Sequence, residues 1–199
     1  MHRFISGVLL FGVMTATASA AQNAPREKKD TTAPTNYLEV AITYDALHGN
    51  ETAGNGFWLQ GGGMQVEGYF SHGFGVVADL AGEHTGNMHG SGVGLDMVTM
   101  TFGPRYTWQH ARHRHSELYG QALVGQANGF NSVFPNASGA TSSASSLTQK
   151  VGGGVNYALS RRLAVRVFEA DWLRTQLPNS TTCVQNNLHL DAGLVLRFY

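Results

Sequence analysis

The final segment of the sequence, Asn187 to Tyr199, alternates between apolar and polar residues. Leucine, alanine or phenylalanine occupies every even position from 188 to 198, and the odd positions include Asn187, His189, Asp191, Gly193 and Arg197. A repeat of two residues is typical of a β-strand with one apolar and one polar face. A tilted strand of about 9 to 11 residues crosses the hydrocarbon layer of a membrane, so this segment is long enough to be a transmembrane strand.

This last strand resembles the closing strand of bacterial outer-membrane β-barrels, which ends on an aromatic residue and carries the assembly signal of that family. The residues that match the signal are Leu194, Leu196, Phe198 and Tyr199. Phe198 is in phase with the leucines, and Tyr199 lies one residue beyond it, which departs from the usual pattern. The resemblance implies insertion by the barrel-assembly machinery after passage through periplasmic chaperones.

The N-terminal region has the features of an export signal. His2 and Arg3 precede an apolar run over 4–14, and Ala18-Ser19-Ala20 offers small residues for cleavage. This pattern predicts a signal peptide over residues 1–20, because a membrane anchor helix would need about 20 apolar residues. Residues 21–36 are polar and aperiodic, which indicates a disordered periplasmic leader. Residues 37–199 then form one barrel domain.

Seven earlier segments also alternate with a period of two, and no apolar run after the signal peptide is long enough for a transmembrane helix. The eight predicted strands cover residues 37–48, 57–70, 74–84, 95–108, 116–127, 147–159, 163–176 and 187–199. Their connections alternate between long and short, as in outer-membrane barrels with short periplasmic turns and longer external loops. The sequence therefore predicts an all-β fold, an eight-stranded antiparallel up-and-down transmembrane β-barrel with a polar filled interior.

Three places in the predicted strands depart from regular alternation. Gly61-Gly62-Gly63 predicts either a bulge or a site where an interior side chain presses on the backbone. Pro104 lies on the apolar face of the fourth strand and predicts an irregular ladder there. In the seventh strand Arg166 and the pair Glu169/Asp171 fall on opposite parities, so we expect a β-bulge near Val167 that returns all three to the polar side.

The polar face of the strands carries charges of both signs beside many small residues. A soluble lipocalin-like barrel would turn this face outward and enclose a hydrophobic ligand. The membrane orientation is favoured because the other face is almost uncharged, and an exposed cation at the bilayer midplane costs about 2 to 4 kcal/mol. Opposite charges, such as Arg105, Arg166 and Arg197 against Glu67, Asp79 and Asp171, then pair inside. The predicted luminal polar network is Glu39, Glu67, Asp79, Arg105, Glu117, Lys150, Arg166, Glu169, Asp171, Asp191 and Arg197.

The resemblance to the OmpA/OmpX-like class of eight-stranded barrels covers nearly the whole mature chain. It implies a location in the bacterial outer membrane, contact with outer-membrane lipid and lipopolysaccharide, and a non-catalytic structural or surface-interaction role through the external loops. A narrow pore or small-molecule-binding barrel is the alternative to this role. It ranks second because an eight-stranded interior is only wide enough for its own side chains. A lipid A-modifying enzyme is a further alternative.

Candidate chemical groups outside the polar face are few. His110, His113 and His115 share one short connection, but without carboxylate or cysteine partners a basic turn near phosphate groups is the plainer interpretation. Glu83, His84 and His89 near the external rim suggest a hydrolase, yet no triad spacing supports it. Cys183 is the only cysteine, so it has no internal disulfide partner. With formal net charge zero and no basic stripe, nucleic-acid binding is not expected. We predict no catalytic residues, cofactor or metal site.

Overall fold

The structure describes most of the predicted barrel domain. The computed structural model describes residues 37–49, 56–71, 73–88, 92–109, 115–136, 139–178 and 183–199. The predicted signal peptide and leader lie outside the described residues and stay predictions. The described part of the chain contains no helix with the length and hydropathy of a membrane span.

Eight long strands of the described residues form a closed antiparallel barrel. Each pairs with its neighbours along the chain, and the first strand pairs with the last, for example through Val40 with Leu196 and Tyr44 with Ala192. The strands are β1 Tyr37–Gly49, β2 Phe57–Ser71, β3 Phe74–Thr85, β4 Leu95–Gln109, β5 Ser116–Phe130, β8 Ala144–Ala158, β9 Leu163–Thr175 and β10 Gln185–Phe198. The predicted fold class is confirmed.

A short hairpin lies within the longest connection, residues 128–146, which the sequence predicted as a loop. It consists of β6 Phe134–Asn136 and β7 Gly139–Thr141. The flanking barrel strands are also longer than predicted, because Asn128 and Gly129 continue to pair with Ser145 and Ala144. The hydrogen bonds between strands join backbone groups and do not depend on the side chains. Two paired strands can therefore continue beyond the point where their apolar face ends.

The predicted irregularities in the strands have clear structural counterparts. Glu169 pairs with Asp191 whereas Arg166 pairs with Gly193, so the ladder contains a bulge at Val167 and the residue after it. Both bulge residues are exposed, and Arg166, Glu169 and Asp171 all lie inside. The predicted bulge is therefore confirmed.

The proline in β4 interrupts its ladder with β5 without changing the register. Phe102 pairs with Val124 and Arg105 with Gln121, with no pair between them. This gap confirms the predicted irregularity and follows from the missing N–H of Pro104.

The two faces of the barrel have opposite polarity. The outer face exposes a continuous set of large apolar side chains, including Ile42 at 61% and Phe102 at 62% exposure. Asp79 and Arg105 are buried inside, while Leu188 and Leu194 point outward. This is the reverse of a lipocalin-like arrangement. The aromatic residues near the ends of the outer face are exposed as well: Tyr44, Trp58, Trp108, Tyr157, Trp172 and Phe198.

The end of the lumen on the side of the long connections is closed by an apolar cluster, which we call the apolar cap. Its buried members are Leu47, Leu59, Leu95, Met97, Phe134, Leu173 and Leu177. Phe134 comes from the β6–β7 hairpin, which explains why the hairpin is ordered against the barrel. The polar interior that the sequence predicts therefore fills the lumen below this cap.

Candidate functional site: the luminal network

All eleven residues of the predicted luminal network lie inside the barrel. Their exposed fractions range from 0 to 7%. They reach the interior because every second residue of a strand points to the same face. The bulge in β9 keeps Arg166 on the inner face together with Glu169 and Asp171. The structure brings them together in three connected groups.

The group nearest the chain ends is centred on Arg197. Its Nε donates to Glu39 Oε1 at 2.7 Å, and an Nη atom donates to Glu117 Oε2. Glu117 comes from β5, on the far side of the barrel from β10. This guanidinium therefore joins three strands across the lumen, as the planar donor arrangement of arginine allows.

The central group is centred on Arg105. Its guanidinium donates to Glu67 Oε2 at 2.8 Å, to Gln65 Oε1 at 2.5 Å and to Gln121 Oε1 at 3.0 Å. The same guanidinium lies over the Tyr119 ring, 4.2 Å from its centroid. Arg105 is 1% exposed, so these contacts replace its hydration.

Glu169 receives hydrogen bonds from several strands and is fully buried. Gln65 Nε2 and Gln121 Nε2 donate to its Oε1 at 2.9 and 2.8 Å, and the Tyr119 hydroxyl donates to its Oε2. Arg166 Nη1 lies 2.9 Å from Oε2. A buried carboxylate is stable only when paired and hydrogen-bonded, and Glu169 meets that condition.

The third group surrounds Lys150. Its Nζ donates to Asp79 Oδ2 at 3.1 Å and lies 3.5 Å from Asp171 Oδ2. The sequence paired these two acids with arginines, and that detail is wrong: Lys150 is their partner. Which charges pair across a barrel depends on how strands on opposite sides are staggered. The alternation along a strand shows which face a residue occupies but not how high it lies relative to the other strands. Asp191 lies 3.6 Å from Arg166 Nη1.

Several luminal residues were missed from the predicted network. Gln65, Gln121 and Tyr119 connect the charged groups, and their parity in the strands was the available signal. Three more polar residues, Asp45, Glu83 and His189, lie nearer the apolar cap and are 1 to 3% exposed.

Glycines on the polar parity make room for these side chains. A Cβ at Gly75 would lie 2.7 Å from Glu67 Oε1, and one at Gly63 would lie 2.5 Å from Asp45 Oδ2. Neither ladder of β2 shifts register across residues 61–63. Of the two readings of this glycine triplet, the structure supports an interior side chain pressing on the backbone.

Glu83 and His84, the described members of the rim set considered for hydrolysis, do not come together. Glu83 faces the lumen, whereas the side chain of His84 is 66% exposed and its Nδ1 contacts Asp96 Oδ1 outside. His89 lies outside the described residues. In the basic turn only His115 is described, and it is exposed. Cys183 is exposed in the connection before β10.

The predicted assembly-signal residues lie on the outer face of β10 and at its end. Leu194, Leu196, Phe198 and Tyr199 are 54, 41, 53 and 59% exposed. The Tyr199 ring lies 5.4 Å from the ring of Tyr37. These positions leave the four side chains accessible, and their role in assembly stays a prediction.

Comparisons with known proteins find similarity in structure. No protein-family model and no curated protein sequence matches the chain. The barrel is similar to Ail, the attachment invasion locus protein of Yersinia pestis, at 17% identity and a TM-score of 0.54, covering 82% of this chain and 99% of that chain. It is similar to Neisserial surface protein A (13% identity, TM-score 0.57, 81% and 97% covered) and to the outer membrane protein OprG from Pseudomonas aeruginosa (11%, 0.54, 83% and 97%).

The shared fold and the apolar outer face together define the class of this protein. A closed barrel leaves no unpaired edge and is one of the two structures that satisfy backbone hydrogen bonds inside a bilayer. An exposed apolar belt with aromatic residues near both ends requires contact with lipid. The described strands therefore form a small eight-stranded transmembrane β-barrel with the fold of solved bacterial outer-membrane proteins, as the sequence predicted.

Proposed function

We propose that this protein is a non-catalytic outer-membrane barrel that supports the envelope and contacts partners outside the cell through its long connections. The observation that carries the proposal is the closed lumen. Below the apolar cap, the luminal charged side chains of the described strands are buried, and each of the four cationic ones is paired with at least one carboxylate. A barrel filled in this way is a rigid support, and its external connections are the parts left to interact.

Conduction is the main alternative, and the packing of the interior argues against it. Arg105, Arg166 and Lys150 are each 1% exposed, whereas residues that line a water-filled channel would contact solvent. An ion crossing the barrel would have to break the hydrogen bonds of Arg105 and Arg197. Removing one member of a buried ion pair costs about 3 to 5 kcal/mol, so such openings would be rare.

The chemistry of the long connections favours a neutral partner that forms hydrogen bonds. Residues 50–56, 86–94, 131–143 and 176–184 are rich in Asn, Ser, Thr and Gly and contain no Lys or Arg. Ail has been solved in complex with the heparin analogue sucrose octasulfate. A sulfated ligand is not proposed for this chain, because these connections contain no Lys or Arg to hold it.

The short connections have the opposite character. Arg112, Arg114, Arg161 and Arg162 all lie in them. We propose that this basic end faces the periplasm and the phosphate groups of the inner leaflet, while the other end meets lipopolysaccharide. Assembly would proceed through periplasmic chaperones and the barrel-assembly machinery, with Leu194, Leu196, Phe198 and Tyr199 as the signal.

Planar-bilayer recording tests the proposal. The refolded protein should give no stable conductance steps, whereas Arg105→Ala, which removes a central luminal side chain, should give more frequent openings. Stable steps from the wild-type protein would favour the narrow pore.

Expression should leave the mass of lipid A unchanged, and a changed mass would favour the enzyme. Replacing residues 131–143 by a two-residue turn should keep the barrel folded but reduce adhesion of cells that display it.

A further inference from the structure

The lumen contains more acids than bases. Of the described residues, nine buried acids face four buried Arg and Lys side chains. The acids are Glu39, Asp45, Glu67, Asp79, Glu83, Glu117, Glu169, Asp171 and Asp191, and the bases are Arg105, Lys150, Arg166 and Arg197. Burying a charge without a partner is costly, so the acids in excess need another source of positive charge.

The uncompensated charge is concentrated at Asp45 and Glu83. Within the described residues, the other seven luminal acids each have an Arg or Lys nitrogen within 4.0 Å. Asp45 and Glu83 have only His189, whose Nε2 lies 4.0 Å from Asp45 Oδ2 and 3.3 Å from Glu83 Oε1. The three side chains come from β1, β3 and β10 and are 1 to 3% exposed.

These groups also lack hydrogen bonds of ordinary geometry. Among the residues that the structure describes, neither ring nitrogen of His189 has a hydrogen-bond partner of ordinary geometry, and neither carboxylate oxygen of Glu83 or Asp45 has one. Buried polar atoms in native proteins are nearly always bonded. An imidazole and two carboxylates that converge in this way form a donor set suited to a cation.

We propose that Asp45, Glu83 and His189 hold a divalent transition-metal ion in the lumen, with zinc as the representative ion. One ligating atom from each lies within 4.8 Å of the others. Tetrahedral zinc, with bonds of about 2.0 to 2.2 Å, places its ligand atoms about 3.3 to 3.6 Å apart. The 3.3 Å separation of His189 Nε2 and Glu83 Oε1 meets this condition, and Asp45 Oδ2, at 4.0 Å from His189 Nε2, needs to approach that nitrogen by about half an ångström.

The surroundings of His189 support this assignment. Its Nδ1 lies 4.0 Å from Asp171 Oδ2, so an approach of about 1 Å would give it the carboxylate partner that commonly orients a metal-bound histidine. Asp171 and Asp191 also approach His189, but Lys150 and Arg166 already lie beside them. Asp45 and Glu83 are therefore the better ligands. Imidazole with carboxylates favours zinc and related ions over Mg²⁺ and Ca²⁺, which prefer oxygen alone.

The structural consequence is a staple near the apolar cap. The ion would join β1, β3 and β10, and so would link both sides of the seam where β1 and β10 close the barrel. It would also neutralise the two acids that the arginines and lysine do not reach. Metal bound only by the folded state raises its stability by mass action.

Metal loading during refolding tests the proposal. The purified protein is unfolded in urea, refolded into detergent micelles with excess ZnCl₂, and passed through gel filtration before metal analysis. The wild-type protein should carry one zinc per barrel and unfold at a higher temperature than protein refolded with EDTA. His189→Asn and Glu83→Gln should lose the zinc, while Glu117→Gln, a luminal acid paired with Arg197, should keep it.

The histidine-rich turn needs its own control. A variant with His110, His113 and His115 all replaced by Asn should also keep one zinc. Loading lost in that variant but kept in His189→Asn would overturn the proposal, as would wild-type protein that carries no zinc. If the luminal variants fail to fold, the turn variant is refolded with CoCl₂ and its visible absorption spectrum is recorded. Absorption bands of tetrahedral cobalt support the site, and their absence overturns it.

Discussion

The central ion pair of the lumen makes a quantitative prediction about stability. Arg105 and Glu67 are 1 and 2% exposed and 2.8 Å apart, and Arg105 is the only Lys or Arg within 4.0 Å of Glu67 among the described residues. Arg105→Met leaves Glu67 as a buried, unpaired charge. We expect a loss of about 3 to 5 kcal/mol in the free energy of unfolding, the usual cost of breaking a buried pair.

A second substitution tests the reason for that loss. Adding Glu67→Gln removes the stranded charge, so the double variant should regain at least about 1 kcal/mol, while Gln65 and Gln121 still lack the guanidinium. Urea titration in lipid vesicles, followed by tryptophan fluorescence, measures both values. Arg161→Met, in an exposed turn, should change stability by less than about 0.5 kcal/mol. A loss below about 1 kcal/mol for Arg105→Met, or no recovery in the double variant, would refute the reasoning.

Three further predictions concern the belt, a glycine and the end of the chain. Ile42→Arg, in the middle of the outer face of β1, should cost about 2 to 4 kcal/mol, whereas Leu159→Arg beside a turn should cost about 0 to 1 kcal/mol; equal costs in vesicle titrations would contradict the belt. Gly63→Ala should cost about 1 to 3 kcal/mol because its Cβ would press on luminal side-chain oxygens, and Gly68→Ala, with open space around it, is the matched control; the reverse order would argue against the packing described. Deleting residues 194–199 should abolish insertion, and heat-modifiable protein that still fractionates with the outer membrane would show that the signal lies elsewhere.

The strands and their two faces are predictable from the sequence because each face has a different environment. Lipid on one side and a packed polar interior on the other impose a period of two on every strand, including the parity change that revealed the bulge near Val167. The irregular ladder at Pro104 is predictable for another local reason, the missing N–H of proline. These features follow from local sequence alone, since they depend on which face each residue occupies and on whether its backbone can donate a hydrogen bond.

The remaining features depend on positions that are distant in the sequence. Arg197 meets Glu117 across the barrel, and Lys150 meets Asp79, because closure sets the level of each residue relative to strands on the opposite side. Phe134 joins the apolar cap from a connection that is otherwise polar. A single aromatic residue in a loop carries no periodic signal, so the hairpin that delivers it was not predicted.

The orientation of the barrel wall can be measured directly through its three tryptophans. Trp58, Trp108 and Trp172 all lie on the outer face and are 45 to 50% exposed. Refolding the protein into vesicles of brominated lipid should strongly quench their fluorescence relative to unbrominated lipid, because bromine quenches only on contact. Unchanged fluorescence in protein that a heat-modifiability gel shows to be folded would contradict a lipid-facing apolar belt around an ion-paired interior.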